Sequence, residues 1–511
     1  MRHQYIQYGN KILTWLSKDS FNKKTIILAS MGIIIQFLIL KIIYPFPNFM
    51  PPDSNSYIEA AFNNQTINIW AIGYSKFLRL FSCIFTSSVA LVWCQYLFLE
   101  FSILYLIFSL KRIFNLNEYI FVVLLVLNIF NPLIPHISNF VGSDALFTSL
   151  SVIWFTQLCW ILNKPTKKLL LWHSIVLLSA FMTRYNALYY PIFSIFIITL
   201  SSLKFKEKLI GIATVLLFLS AFIARTEYEY YKETGTVQFS AFGGWQIAAN
   251  ALYGYAHTNR DTSSVPPKFL ALNTVVNEHM DSLDKVFFFF RPDYTLGVYY
   301  LWDAKSPLKV YMNKYWPKNT DSSYFKRWAT MAPLYSSYGW YLIYRHPRPY
   351  INYYLWPNLI KYYVPPPGFM SLYNIGKDSI DPIVATWFRW KFTRITKHVK
   401  SNQINIATNA PIPFAILNFL YAICFIGFIT LGYIRNFEYN VRRIIHLGFS
   451  LWVANFIFCV FSAPIELRYL LFQIVLVLFF LPFFLYHLLK ESHLTSSIFK
   501  KGRPNESIYR S

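Results

Sequence analysis

Five ionisable residues stand at the edges of apolar stretches of this chain. Asp53 lies in Pro51-Pro52-Asp53-Ser54-Asn55-Ser56-Tyr57, and Asp144 lies in Gly142-Ser143-Asp144-Ala145-Leu146-Phe147. Arg184 lies in Thr183-Arg184-Tyr185-Asn186, and Glu466 and Arg468 share Ala463-Pro464-Ile465-Glu466-Leu467-Arg468-Tyr469. A charge near hydrocarbon is costly and by default marks a functional site. A carboxylate accepts a proton from a hydroxyl, and a guanidinium grips phosphate through two parallel N–H donors. Together at a lipid–water boundary they suit a substrate that is part lipid and part phosphate-sugar. Each residue also has a plainer structural reading. Asp144 after Ser143 fits a helix cap, Asp53 after two prolines fits a turn, Glu466 and Arg468 fit an ion pair at a helix end, and Arg184 fits a side chain reaching for headgroups. These readings explain the residues singly but leave their shared depth unexplained.

The elements that must position them are membrane spans. Of 511 residues, 55% are hydrophobic, 20% aromatic and only 14% charged, against about 25% charged in soluble domains. That composition excludes a cytosolic enzyme, a disordered chain and a secreted disulfide scaffold. The net charge of +24, from 47 Lys+Arg against 23 Asp+Glu, would suggest nucleic-acid binding in a soluble protein. In a membrane protein it fits basic cytoplasmic loops, and no nucleic-acid partner is expected. The five cysteines fall in or beside apolar runs, and none lies between Thr226 and Asn409, so that stretch has no disulfide framework or CxxC metal site.

Ten spans are expected, at 25–44, 87–110, 118–134, 143–163, 168–184, 187–203, 208–224, 411–433, 444–462 and 468–489, with a re-entrant pair over 168–203 as the alternative for the fifth and sixth. No cleavable signal peptide is expected, because the first apolar run is long enough to span. Basic clusters at Lys11, Lys18, Lys23 and Lys24, at Lys111 and Arg112, at Lys164, Lys167 and Lys168, at Lys204, Lys206 and Lys208, at Arg435, Arg442 and Arg443, and at Lys490, Lys500, Lys501 and Arg503 then share one side. The positive-inside rule makes that side, and both termini, cytoplasmic. The expected organisation is a seven-span catalytic module over 1–225 that includes the first outer loop at 45–87, an extracytoplasmic domain over 226–409, a three-span module over 410–490 and a cytoplasmic tail over 491–511. Ser336–Tyr344 and Tyr350–Tyr363 are expected as helices lying on the membrane surface, and Val286–Phe290 is too short to span.

The Pro52-Asp53-Ser54-Asn55-Ser56-Tyr57 loop, followed by Gly73-Tyr74-Ser75-Lys76-Phe77-Leu78, resembles the Asp-containing first loop of the GT-C superfamily of membrane glycosyltransferases. Ser143-Asp144-Ala145-Leu146-Phe147 is similar to the second acidic loop of that superfamily. Arg184-Tyr185-Asn186 and Glu466-Leu467-Arg468-Tyr469 are similar to segments of its bacterial members near the lipid A aminoarabinose transferases and the protein O-mannosyltransferases. Asp53 is followed by Ser54 and Asn55, so the chain departs from the Asp-Glu or Asp-x-Asp pair of the protein mannosyltransferases. The resemblance implies an α-helical polytopic fold of about ten transmembrane helices with juxtamembrane helices and one extracytoplasmic domain, in a bacterial inner (plasma) membrane.

The function so implied is inverting sugar transfer from a polyprenyl-phosphate-linked donor to an extracytoplasmic acceptor, whether glycan, lipid or protein. Asp53 would be the base, Asp144 a second catalytic acid orienting acceptor or sugar, and Arg184 and Arg468 the donor-phosphate contacts, with Lys76 as a further one. Glu466 and Tyr57 would support them. No cofactor and no metal ligand set are expected. A polyprenyl-pyrophosphate donor, as in an en bloc oligosaccharide transferase or ligase, would bring in a divalent metal, with Asp53 and Asp144 as the ligands on offer. The reading from a different class is a lipid or polysaccharide transporter. It calls for inverted repeats and mid-span charges, and neither is expected here. The chain also lacks a Walker A segment and an HExxH motif.

Overall fold

Backbone polar groups in hydrocarbon find partners only within a helix or a closed barrel, and the long Leu-, Ile- and Phe-rich runs of this chain fold as helices. The computed structural model describes residues 19–260, 265–316 and 323–501, apart from the side chains of Phe288 and of 491–501. Lys11, Lys18 and Arg503 of the expected basic flanks lie outside the described residues. The membrane-side elements are α1 (Ser20–Ile43), α2 (Asp53–Phe62), α3 (Gly73–Ser82), α4 (Ser88–Phe114), α5 (Glu118–Ile129), α6 (Leu133–Ser138), α7 (Ser143–Asn163), α8 (Lys167–Thr183), α9 (Tyr190–Leu200) and α10 (Phe205–Thr234). Among the described residues, eight helical segments are long and apolar enough to cross a bilayer, and the chain is an α-helical multi-pass membrane protein. The other two segments expected to cross are the 17-residue α8 and the shorter apolar run Tyr185–Leu200.

Helix α7 is the inner helix, with 89% of its span buried, whereas α1 and α10 are each only 22% buried and turn apolar side chains outward. The buried hydroxyls of α7 are satisfied by carbonyls one turn back: Thr148 donates to Asp144, Ser149 to Ala145, Ser151 to Phe147 and Thr156 to Val152, each at 2.7–2.8 Å. Trp154 of the same helix stacks on Tyr190 at 3.9 Å between centroids and donates to Ser194. The expectation that no charge lies at mid-span is corrected by Glu100, fully buried within α4. A single carboxyl inside a Leu- and Phe-rich run is easily read past.

The stretch expected as one outside domain, 226–409, divides between two hydrophobic cores. Residues from Tyr230 to Tyr354 make their own core, built on the crossing of α11 (Ala241–Tyr255) with α13 (Tyr324–Arg345) and flanked by α12 (Leu270–Asp284). The crossing is close: a Cβ on Gly244 would lie 2.2 Å from the Ala332 carbonyl oxygen. Ser336–Tyr344, expected on the membrane surface, is instead the middle of α13, and Tyr338 and Leu342 are buried there. Within Tyr350–Tyr363, which ends in α14 (Trp356–Tyr363), the face of Tyr354, Asn358 and Tyr362 is buried while Ile351, Tyr353, Trp356 and Ile360 stay exposed. Residues between Tyr362 and Ala407 pack into the membrane core instead, alongside α15 (Pro411–Thr430), α16 (Tyr439–Ser462) and α17 (Leu471–Lys501).

Candidate active site

The 45–52 segment that precedes α2 and the start of α7 are joined by backbone. The Asn48 N–H donates to the Asn139 carbonyl at 2.8 Å, and the Val141 N–H donates to the Asn48 carbonyl at 3.0 Å, a parallel bridge between Asn48 and Phe140. The Ser54 hydroxyl donates to the Val141 carbonyl at 2.6 Å and accepts the Met50 N–H at 2.8 Å. This stitching brings two helix N-termini together. Asp53 is the first residue of α2 and Asp144 the second of α7, so each carboxylate sits where the helix dipole favours negative charge. Neither side chain caps its own helix. Both face outward to arginines.

Arg184 follows the end of α8 in extended conformation, and its guanidinium is ion-paired to Asp144. Arg468 lies in a single turn of 3-10 helix, Leu467–Leu470, just before α17. One of its Nη atoms is 2.9 Å from Asp53 Oδ2 and 4.0 Å from Asp144 Oδ2, and its Nε donates to Glu466 Oε2 at 2.8 Å. The Tyr469 ring lies between the two guanidiniums, with centroid distances of 5.3 Å to Arg184 and 5.1 Å to Arg468. The arginine turn is held from below. The Leu467 N–H donates to the Pro366 carbonyl, the Ile465 N–H to the Asn358 side chain, and the Asn358 amide donates to the Val460 and Ala463 carbonyls. Gly368, at φ +54°, presses against Glu466 so closely that a Cβ there would lie 2.6 Å from the carboxyl carbon.

Asp53, Asp144, Arg184 and Arg468 all line one cavity of about 360 Å³, a volume in the range of small-ligand sites. Leu188, Phe458 and Phe461 line it beside α9 and at the end of α16, and Leu188 and Phe461 are exposed there. Trp70, Phe242 and Trp302 line it as well, from the α2–α3 loop and the second core. Burial raises the Asp53 carboxyl above its ordinary pKa even though the Arg468 guanidinium pulls it down. A carboxylate so raised holds a proton more readily than a surface aspartate.

Of the seven residues singled out in the sequence, five line the cavity: Asp53, Asp144, Arg184, Arg468 and Tyr57, whose hydroxyl is 3.0 Å from that of Ser143. Glu466 stands behind Arg468 and orients it. Lys76 is not among the lining residues: its ammonium donates to the Asn64 carbonyl and side chain instead. The cause is the facing of α3, whose Tyr74 and Leu78 are buried, with Gly73 pressed on the Met182–Thr183 backbone. The sequence reading missed Tyr469, the aromatic lining residues and Met50, whose sulfur is 3.2 Å from Arg468. Tyr469 had a signal, since it adjoins Arg468; the tryptophans had none that separates them from interface anchors.

The arrangement places a proton acceptor, a second carboxylate and two fixed cations in one partly dry space. Arg468 reaches both Asp53 and Asp144, and among the described residues no group of three or more His, Cys, Asp or Glu could hold a metal ion. No family model matches the chain, and no curated protein or solved structure matches it either.

Proposed function

We propose that this chain is an inverting membrane glycosyltransferase of the GT-C type. On this reading it has ten spans and cytoplasmic termini and works at the outer face of a bacterial inner membrane with a polyprenyl-monophosphate sugar as donor. The observation that carries the reading is the shared cavity, in which two carboxylates and two arginines meet beside an apolar rim at the span ends. The donor phosphate sits against Arg184 and Arg468, and the polyprenyl chain leaves past Leu188 and Phe461 into lipid. Asp53 takes the proton of an acceptor hydroxyl, whose oxygen attacks the anomeric carbon from the face away from the phosphate. The anomeric C–O bond breaks with its electron pair staying on the lipid phosphate. That phosphate gains negative charge, and the arginines stabilise it by roughly 10²–10³-fold each, by analogy with oxyanion donors. Asp144 holds Arg184 in place and faces the sugar. A monophosphate is favoured over a pyrophosphate because it brings fewer charges to a site whose two arginines already pair with Asp53, Asp144 and Glu466.

The test uses the full chain purified in detergent, with labelled polyprenyl-monophosphate sugar and an extracytoplasmic glycan fraction, in the presence of chelator. Sugar transfer with stoichiometric release of polyprenyl phosphate is expected. Strict dependence on Mg²⁺ or Mn²⁺ with turnover of a pyrophosphate-linked oligosaccharide would replace this reading with en bloc transfer.

A further inference from the structure

We infer that Trp70, Phe242 and Trp302 form a subsite for a pyranose ring of the acceptor, so that the acceptor is a glycan; the inference rests on the glycosyltransferase reading. Three rings from three separate segments converge on the cavity, with centroids 5.1 Å apart for Trp70–Phe242, 5.5 Å for Trp70–Trp302 and 6.4 Å for Phe242–Trp302. All three are half-buried, whereas Trp245 and Trp328 in the core behind them are inaccessible. Three adjoining open rings on a cavity wall make a contiguous apolar patch of the kind that marks a binding site. The faces are also fixed in advance. Trp302 lies parallel to Trp328 (4° between planes), and Trp328 lies parallel to Trp245 (5°). A rigid aromatic face loses little entropy on binding and suits the flat, C–H-lined side of a sugar ring, while the amide of Gln246 and the hydroxyl of Ser240, also in the lining, suit its equatorial hydroxyls.

Position assigns the ring to the acceptor. Trp70 is 6.4 Å from the Tyr57 ring, and Tyr57 is one helical turn from Asp53 on α2, so a sugar on this wall presents its hydroxyl toward the base. The phosphate contacts and the apolar rim come from other segments: the Arg184 and Arg468 turns and the ends of α9 and α16. Next to Phe242, Gly243 is exposed and a Cβ there would meet nothing within 4 Å. The wall therefore opens outward beside the subsite, with room for the remainder of a longer glycan.

The experiment compares the full-length wild type with Trp302→Phe, Trp302→Ala and Trp70→Ala in detergent. It uses methyl glycosides and short oligosaccharides of glucose, galactose, mannose and N-acetylglucosamine as acceptor probes, and a labelled polyprenyl-phosphate sugar as the donor. Saturable, saccharide-dependent quenching of tryptophan fluorescence is expected in the wild type and is lost in Trp302→Ala. The acceptor KM should rise about tenfold in either alanine variant, with polyprenyl-phosphate-sugar affinity unchanged and Trp302→Phe near wild type. Equal weakening of polyprenyl-phosphate-sugar binding would assign the wall to the donor and overturn the inference, as would an unchanged acceptor KM in an active Trp302→Ala enzyme. Quenching by saccharides without any transfer would leave the subsite standing and remove the glycosyltransferase reading instead.

Discussion

Two ion-pair networks in this protein use the same residue types in opposite settings. In the second core, Arg260 pairs with Asp281 and Asp284, and Arg291 pairs with Asp284 and Asp293 at 2.8 and 2.7 Å. All five residues lie within one short stretch of chain, and the side chains of Asp281 and Asp284 are 64% and 45% exposed. In the cavity, Arg184 and Asp144 are 40 positions apart and Arg468 and Asp53 are 415 apart. No side chain in that network is more than 16% exposed. The first network is local, and its Arg260 pairs, made to the exposed Asp281 and Asp284, are screened and contribute about 0–1 kcal/mol, whereas its Arg291–Asp293 pair is buried. The second takes charges out of water, which the pairs themselves only partly offset, so its retention calls for a reason other than stability. Under the proposed function, proton and phosphate chemistry is that reason.

The largest effect that separates the two networks is expected at Asp53. Asp53→Asn should fold and bind polyprenyl phosphate yet lose roughly 10²–10⁴ in transfer rate, measured under saturating donor. The wild-type pH profile should report the same group. Below its pKa Asp53 holds its own proton and cannot take another, so kcat/KM falls as pH falls. Because burial raises this carboxyl, the falling limb should lie above the ordinary aspartate value of about 3.9. A limb at or below that value would remove Asp53 as the base. Next comes Arg468→Ala, which leaves Asp53 and Glu466 without their cation. A loss of about 3–5 kcal/mol in stability is expected, together with weaker donor binding. Arg468→Lys should recover the fold and part of the rate, since it keeps the charge but loses the fork. Gly368→Ala meets both the left-handed backbone and the Glu466 carboxyl. It should cost about 1–3 kcal/mol and slow transfer by displacing Arg468, a change that thermal melting and donor titration resolve. The smallest effect is expected in the exposed network. Arg260→Ala should shift stability by about 1 kcal/mol or less, lose even that in high salt, and leave transfer untouched. A large activity loss there would erase the distinction.

How far each network could be read beforehand follows from the same contrast. The spans and their flanking charges are periodic and compositional, so the positions of α1, α4, α7, α16 and α17 and the candidacy of Asp53, Asp144, Arg184 and Arg468 were visible in the chain. Which charges meet was not, because pairing across 415 positions is set by tertiary packing. Lys76 illustrates this: it occupies the expected depth, but the burial of Tyr74 and Leu78 turns it toward Asn64. Glu100 was hidden by its apolar neighbours. The Trp70–Phe242–Trp302 wall had no advance signature, since aromatic residues serve cores, membrane boundaries and ligand faces alike. The two-core division of 226–409 depends on Gly244 and Gly339, small residues whose close helix crossing does not show in hydropathy.

The distance in sequence between Asp53 and Arg468 also sets an order of biogenesis. Chains are made from the N-terminus at roughly 5–20 residues per second, so Asp144 meets Arg184 within seconds of synthesis, while Asp53 waits roughly 20–80 seconds for residue 468 to emerge. During that interval Asp53 is without the Arg468 guanidinium that pairs with it in the folded chain. The final span then carries Arg468, with Glu466 beside it, into a pocket whose other walls already exist. The cavity is thus completed by the segment that leads into α17, and a nascent chain halted before Arg468 lacks that wall.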